Sequence, residues 1–428
     1  MMSVEDITSI IKEQDGRMLR LLSTERIQER EFPLPNKLLG LGAANIITGP
    51  RRCGKSVLSY MFAKTSGAGY LSFDDERIAI SASELNKVLE AMHSLKKDSM
   101  FLVLDEIQEV SGWERFASRL VDEKKLIITG SNARMLSREL GTFMTGRHID
   151  HVLLPFSFRE FLSYNRVQYD AVAGAFTTSG RATLKTMLEK YLEVGGFPMA
   201  VRSGREPLVG IYGDMIERDV IQRYGITQQG TLRDFVRYLI SNTAMEVSYS
   251  KLGNIFSMKD KNMAQEWLGY LESAYVLLKL ERFSFKLKES VIAPKKVYAI
   301  DTGLANVVSL NSNITRNMEN CVAIELFRRK SYWRTDTELN YWKDHQQHEV
   351  DFVTRRGRKV EQLIQVTYAT DMAGMRDRET KGLVRASEEL RCSNLLCITW
   401  DYEAKEKING KTIVFMPLWK WLLERGGT

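Results

Sequence analysis

Cysteine and histidine are scarce in this 428-residue chain, and long apolar runs are missing from it. The four cysteines, Cys53, Cys321, Cys392 and Cys397, lack the close paired spacing of a zinc site or a disulfide framework. Their scatter favours a reducing, cytoplasmic compartment. Among the five histidines, His345 and His348 are three apart, with no cysteine or second histidine pair near them to complete a zinc site. No run of about 18 apolar residues occurs, so no membrane span is expected. The charged start "MMSVEDITSIIKEQDGRMLR" does not read as a secretion signal. Internal repeats and low-complexity tracts are also absent.

What is present is ordinary for a globular protein: 44% hydrophobic and 27% charged residues, enough length for two to four domains, and no composition of a disordered chain. The excess of 61 Lys and Arg over 54 Asp and Glu gives a net charge of +7. That mild bias admits a nucleic-acid partner without requiring one.

An amphipathic helix opens the chain and ends before "EFPLPNKLLG", where two prolines break helical continuation. From about 45 to 155 the short apolar runs "NIITG", "GYLSFDD", "MFLVLDE" and "KLIITGS" alternate with helical patterns. Strands buried on both faces in that rhythm predict a parallel sheet with crossover helices. Residues 181–246 are mostly helical. Then "TLRDFVRYLISNTA", "YSKLGNIF" and "NMAQEWLGYLESA" lead into "YVLLKLERFSFK" and "KKVYAID", the order of a winged helix with "KLKESVIAPKK" as its wing. Beyond 306 a helix, "NMENCVAIELFRRK", precedes strands at "ELNYWKD", "EVDFVTR" and "QLIQVTYA".

The segment "GPRRCGKS" fits G-x-x-x-x-G-K-[ST] and lies between a predicted strand and a predicted helix. Gly49 and Gly54 permit the tight backbone, and the loop running from Pro50, which has no N–H, through Arg51, Arg52 and Cys53 to Val57 would turn its N–H groups towards phosphate oxygens. Lys55 would reach the β- and γ-phosphates, and Ser56 would hold Mg²⁺. The strand "MFLVLDE" ends in two carboxylates. Asp105 would hold the metal and Glu106 would polarise the attacking water. A third strand ends in Ser131 and Asn132, whose polar tip would face the γ-phosphate. Arg147 is the candidate for stabilising charge on the transferred phosphoryl group, in its own subunit or a neighbour, with Arg134, Arg138 and Arg159 competing.

With those residues in hand, the chain resembles the AAA-type ATPases that carry a DUF4143 C-terminal region. The pieces that carry the resemblance are "ITGPRRCGKS", "LVLDEIQEVSGWE", "IITGSNARML", "TGRHIDHVLLPFSFREFL", "EVGGFP", "IERDV", "KVYAIDTGLA", "MENCVAIEL" and "EVDFV". The resemblance implies an α/β, three-layer P-loop NTPase core of AAA+ or STAND-like type over 1–160, and a helical lid over 161–230. A winged helix over 231–305 and a domain similar to PD-(D/E)xK nucleases over 306–428 complete it. The resemblance also implies ATP with Mg²⁺; no guanine-specificity motif is present, and the choice of ATP rests on the resemblance. Gly195, Gly196 and Pro198 would then belong to the lid, and Arg218 would face the nucleotide or a neighbouring subunit.

Nucleic acid would be read by the start of the third helix of the winged helix, at Lys259, Lys261, Asn262 and Gln265, with Trp267, Leu268 and Leu271 in the core. Arg282, Lys286, Lys288, Lys295 and Lys296 of the wing would contact phosphates. A second basic surface is the turn Arg355, Arg356, Arg358 and Lys359. The nuclease pattern places Glu319 on a helix and Asp351 on a strand, but Gln365 and Thr367 replace its acid and its lysine. A lysine could come instead from Lys343 or Lys359, and an acid from Glu361. Cleavage needs carboxylates for the cation and a lysine for water, so a non-cleaving domain is expected. The reading is therefore a Mg²⁺-dependent ATPase, homo-oligomeric, acting on DNA. The alternatives are a STAND-like switch governing a protein partner and an ATP-dependent nuclease.

Overall fold

In this computed structural model the described residues are 2–32, 42–96, 99–131, 146–169, 177–258, 260–309, 313–372 and 377–424. The chain divides into two compact units, Met1–Pro155 and Phe156–Thr428.

The first unit is built on a parallel sheet of strands β1 (Ala44–Thr48), β2 (Gly69–Ser72), β3 (Phe101–Asp105), β4 (Lys125–Thr129) and β5 (His148–Val152), in the order β2-β3-β4-β1-β5. The four apolar runs of the sequence become β1 to β4. Strand β1 is buried at all five positions, as expected of a strand covered on both faces. Strand β4 lies between β3 and β1, the two strands that carry the phosphate-binding loop and the paired carboxylates. The helix Val4–Thr24 is capped by Ser3 with Asp6 in a reciprocal capping box. Its Ile7 and Ile11 join Leu85, Val88 and Trp113 in one apolar cluster.

The second unit opens with helices Phe158–Tyr164, Thr178–Val194, Pro198–Ser203 and Glu206–Ile216, the last continuing into a π-helical turn, Glu217–Gln222. A nine-stranded sheet follows. Its strands are β6 (Met245–Val247), β7 (Leu277–Arg282), β8 (Lys295–Ala299), β9 (Glu338–Lys343), β10 (Glu349–Arg356), β11 (Lys359–Val366), β12 (Leu395–Thr399), β13 (Ala404–Ile408) and β14 (Lys411–Pro417). Their order is β13-β14-β12-β11-β10-β9-β7-β8-β6. Helices Gln229–Ser241, Tyr249–Ile255 and Lys261–Ser273 precede the β7–β8 hairpin, and β6 pairs with β8. Strand β7 pairs in parallel with β9 through Glu281–Asn340 and Arg282–Tyr341. One sheet thus runs across residue 305, where the resemblance implies a boundary.

Three glycines in the second unit have a packing explanation. A Cβ on Gly196 would lie 2.3 Å from the Phe156 carbonyl oxygen, one on Gly303 would lie 2.2 Å from that of Val194, and one on Gly195 would meet the Asp301 carboxylate at 2.0 Å. The Asp301 carboxylate accepts from the Gly196 N–H at 2.7 Å and caps the helix Thr302–Val308 through the Leu304 N–H at 3.0 Å. The "VGGFP" and "IDTGLA" segments are therefore backbone against backbone, which only glycine permits.

Candidate functional site

The loop 49–54 leaves β1 and enters the helix Lys55–Ser66, whose N-cap is Gly54 at φ 103°. Gly49 sits at φ 146°, and a Cβ there would fall 2.1 Å from the Leu153 carbonyl oxygen, so no other residue fits. Arg52 takes a left-handed φ of 66°. The loop is fastened from behind: the Cys53 thiol donates to the Leu153 carbonyl at 3.3 Å, and Arg30 donates to the carbonyls of Cys53 at 2.9 Å and Leu154 at 2.5 Å. Burial holds the Cys53 thiol above its usual pKa, so it is a packing group and not a nucleophile.

Lys55 is buried within the turn, donating to the carbonyls of Gly49 at 3.0 Å and Pro50 at 3.1 Å, with Glu106 3.9 Å away. Asp105 is 1% exposed at the end of β3. Its carboxylate accepts from Tyr70 Oη at 2.9 Å, from Thr129 Oγ1 and from the Ser56 hydroxyl. Burial and then the neighbouring Glu106 raise its pKa, the response of a carboxylate short of positive charge. Ser56 and Asp105 are thus in hydrogen-bond contact at the place where a phosphate-bound Mg²⁺ would be held. The donor set, hydroxyl plus carboxylate, suits that ion.

Glu106 adopts φ 55°, ψ 39°, a conformation unusual for a non-glycine residue. Its N–H donates to Thr129 Oγ1 at 3.1 Å, and Gln108 donates to its carboxylate. The left-handed turn lifts the carboxylate off the strand direction towards Lys55. Such backbone strain is characteristic of functional positions. Thr129, which bridges Asp105 and Glu106, and Arg30 were missed in the sequence. The signal for Thr129 was its place two residues before the polar strand tip.

Two arginine candidates are corrected. Arg147 precedes β5, whose parallel register pairs Ala44 with His148 and Thr48 with Val152. It therefore lies at the edge of the sheet where β1 begins, roughly four residues of strand from the loop, or about 13 Å. There it pairs with Asp122 and donates to the Gly42 carbonyl at 3.3 Å, so it does not serve the phosphates of its own subunit. Arg159 is 4% exposed in the second unit, bound to Glu325 at 3.2 Å and to the Glu424 carbonyl at 3.0 Å. Arg218 is exposed on the π-helical turn, 3.8 Å from Asp214. Asn132, Arg134 and Arg138 lie outside the described residues.

In the second unit Asn262 and Gln265 are exposed on the helix Lys261–Ser273, while Trp267, Leu268 and Leu271 are buried. Lys259 and the Lys261 side chain lie outside the described residues. The wing differs from expectation. It forms a short helix, Leu287–Ile292, and exposes Phe285, Leu287, Val291 and Ile292. Lys286 pairs with Glu289 at 3.1 Å. Lys295 and Lys296 are 4% and 2% exposed, in strand β8, and cannot meet phosphates. The basic turn is also partly neutralised. Arg355 pairs with Glu338 and donates to Asn340 at 2.9 Å, and Arg356 pairs with Glu361 at 3.1 Å. Arg358 and Lys359 are exposed at its tip.

Lys296 is the side chain the sequence most misplaced. Its Nζ lies 2.8 Å from Glu319 Oε1, 2.5 Å from Glu349 Oε1 and 2.9 Å from Asp351 Oδ1. Tyr298 donates to Glu319 Oε1 at 2.8 Å, and the Val366 N–H donates to Asp351 Oδ2 at 2.9 Å. Lys343 bridges Glu349 at 3.3 Å and Glu246 at 2.9 Å. The β10–β11 ladder pairs Phe352 with Ile364, which brings Asp351 opposite Gln365 on one face. Glu319, Asp351 and Gln365 are thus brought together as expected, but the ammonium comes from β8. Lys359 and Glu361 sit towards the far end of the hairpin. Burial and then Asp351 raise the Glu319 carboxyl to about 7, and burial works against the charge on Lys296 while Asp351 and Glu319 hold its pKa well above the ordinary value.

The family model of an AAA domain matches residues 42–162. A domain of unknown function (DUF8612) matches 185–315, and another, DUF4143, matches 315–421. An uncharacterized protein of Methanocaldococcus jannaschii is 31% identical over 411 residues, covering 91% of this chain and 89% of that one. An uncharacterized protein of Haemophilus influenzae is 26% identical over 402 residues, covering 89% and 94%. AMPPCP-bound DnaA from Aquifex aeolicus aligns at 19% identity over 55% of this chain and 83% of that one, with a TM-score of 0.23, too low to carry an argument. The parallel sheet with its phosphate-binding loop, the AAA match and the near full-length relative together place the chain in the family of AAA-type ATPases that carry a DUF4143 C-terminal domain.

Proposed function

We propose that this chain is a Mg²⁺-dependent ATPase that couples hydrolysis to the binding or remodelling of DNA, with a C-terminal domain that holds and does not cut. The observation that carries the ATPase reading is the Lys55–Ser56–Asp105–Glu106 arrangement. Lys55 and the loop N–H groups would bind the phosphates. Mg²⁺, held by Ser56 and Asp105, would neutralise phosphate charge. Glu106, lifted by its left-handed turn, would accept the proton of the attacking water.

Support for a nucleic-acid partner comes from the helix–strand–helix–helix–hairpin order of residues 229–299, which is that of a winged helix. Asn262 and Gln265 are exposed at the start of its third helix, and Arg358 and Lys359 at the β10–β11 turn. The loss of Lys295 and Lys296 from the wing narrows that surface. A second reading, a nucleotide-governed switch acting on a protein, is favoured by the exposed Phe285, Leu287, Val291 and Ile292 beside it.

Glu106→Gln should lower ATP hydrolysis by roughly 10²–10⁴-fold while nucleotide binding is retained. ATP turnover on forked, four-way, single-stranded and duplex DNA, read with the oligomeric mass, separates the two readings. Stimulation by any of these supports the first, and equal rates with and without DNA would overturn it.

A further inference from the structure

We infer that Lys296 is the cation of the nuclease-like centre: its ammonium takes the position that a divalent metal would take among Glu319, Glu349 and Asp351, and so excludes metal from it. The inference rests on the reading of the C-terminal sheet as a non-cleaving nuclease-like frame and supplies its chemical reason.

The three carboxylates come from two elements, the helix Ile314–Tyr332 and two positions of β10, and converge on the lysine. An ammonium has three N–H donors, and here each has a different carboxylate within 2.9 Å. A lysine that served to orient water beside a metal would leave carboxylate oxygens for the ion. Five of the six oxygens are instead committed, the three that face Lys296 and two others. Asp351 Oδ2 accepts from the Val366 N–H, Glu319 Oε1 is shared with Tyr298, and Glu349 Oε2 lies 3.3 Å from Lys343. Mg²⁺ demands oxygens at about 2.0–2.1 Å in octahedral geometry, and the ammonium already fills the space they enclose. Among the described residues no group of three or more His, Cys, Asp or Glu is placed to hold a metal ion.

The sequence departures then have one cause. Two buried or half-buried lysines, Lys296 and Lys343, face four carboxylates, those of Glu246, Glu319, Glu349 and Asp351. A further acid at position 365 would leave more negative charge in a site with little water to screen it. Glutamine keeps the shape without the charge, and its Oε1 is buried with no hydrogen-bond partner among the described residues. Thr367 stands where a second ammonium is no longer needed. The register shift in the β9–β10 pairing between Val350 and Val353 turns the strand at Asp351 and aims that carboxylate at β8.

The test is Mn²⁺ binding to the full nucleotide-free chain, followed by electron paramagnetic resonance, with Ser56→Ala present so that the phosphate-binding loop contributes nothing. The Ser56→Ala chain should bind no Mn²⁺. Adding Lys296→Ala, or Lys296→Met where the shorter side chain impairs folding, should create one Mn²⁺ site per chain, and adding Asp351→Asn should remove it. One Mn²⁺ bound with Lys296 in place, or a folded Lys296 variant that binds none, would overturn the inference. The measurement with Lys296 intact does not depend on a Lys296 variant folding. Duplex and branched DNA incubated with Mn²⁺ should remain intact. Mn²⁺ held at the cluster without cleavage would overturn metal exclusion alone, whereas cleavage lost in Asp351→Asn would overturn the non-cleaving reading with it.

Discussion

The hydroxyl of Tyr70, on the strand next to β3, donates to Asp105 Oδ2 at 2.9 Å, so a buried tyrosine orients the carboxylate that would hold Mg²⁺. Tyr70 packs edge-on against Tyr60 at 5.2 Å, and Tyr60 donates to Asp15 of the N-terminal helix at 2.6 Å. Losing a partner that orients a ligating group typically costs about 10–100-fold in metal affinity or activity. Tyr70→Phe should leave the unit folded and raise the Mg²⁺ concentration for half-maximal ATPase by roughly 10-fold. A Mg²⁺ titration of the rate at saturating ATP checks this, and an unchanged midpoint would remove Tyr70 from the site.

Glu325 is 3% exposed and is shared by Arg159 at 3.2 Å, Arg328 at 3.0 Å and Arg329 at 3.1 Å. The three guanidiniums hold its carboxyl below the ordinary pKa against the cost of burial. Removing one member of a buried ion cluster leaves uncompensated charge, which costs about 3–5 kcal/mol. Glu325→Gln should therefore destabilise the chain by about that amount in urea denaturation. A loss under about 1 kcal/mol would mean that backbone carbonyls alone satisfy the arginines.

Asp301 supplies a pH test. Burial raises its carboxyl to about 6, despite the N–H groups of Gly196, Leu304 and Gly303 that favour the anion. A carboxyl with a folded pKa above its unfolded value binds the proton more tightly in the native state. Its contribution to stability is full below the unfolded value and is lost as pH rises through the folded one. Between about pH 4 and pH 6 this group should therefore cost stability as pH increases, on the order of 2–3 kcal/mol over the window. Asp301→Asn keeps an oxygen at the cap and removes the titration, so urea midpoints taken across that window should flatten by this amount. An identical slope in the variant would refute the assignment.

The phosphate-binding loop and the Asp105–Glu106 pair were legible because their chemistry is local. Six residues between a strand and a helix fix where the backbone points, and a run of apolar residues ending in two acids fixes which end of β3 carries them. Strand β5 was not legible: "HIDHV" is an edge strand with only His151 buried, and half-polar edges lack the apolar run that marks a central strand. Thr129 acts on the neighbouring strand and only its place before the polar tip hinted at it, while nothing in the neighbours of Arg30 announces its hold on the Cys53 and Leu154 carbonyls. Lys296 shows the limit most clearly. Beside Lys295 and close to Lys286 and Lys288 it reads as one of a basic wing, yet all five residues of β8 are buried. The available clue was indirect, since a buried acidic frame that lacks its own lysine must find a cation elsewhere in the chain.

The pairing of β7 with β9 has a mechanical meaning. Because hydrogen bonds run unbroken from β6 to β13, the hairpin that follows the three helices and the strands that frame Asp351 form a single plate. A tilt imposed on one margin is delivered to the other without a hinge between them. Cutting the chain near residue 305 to obtain a free C-terminal fragment would strip β9 of its neighbour and take Lys296 from the carboxylates it neutralises, so the smallest fragment worth producing begins before the helix Gln229–Ser241.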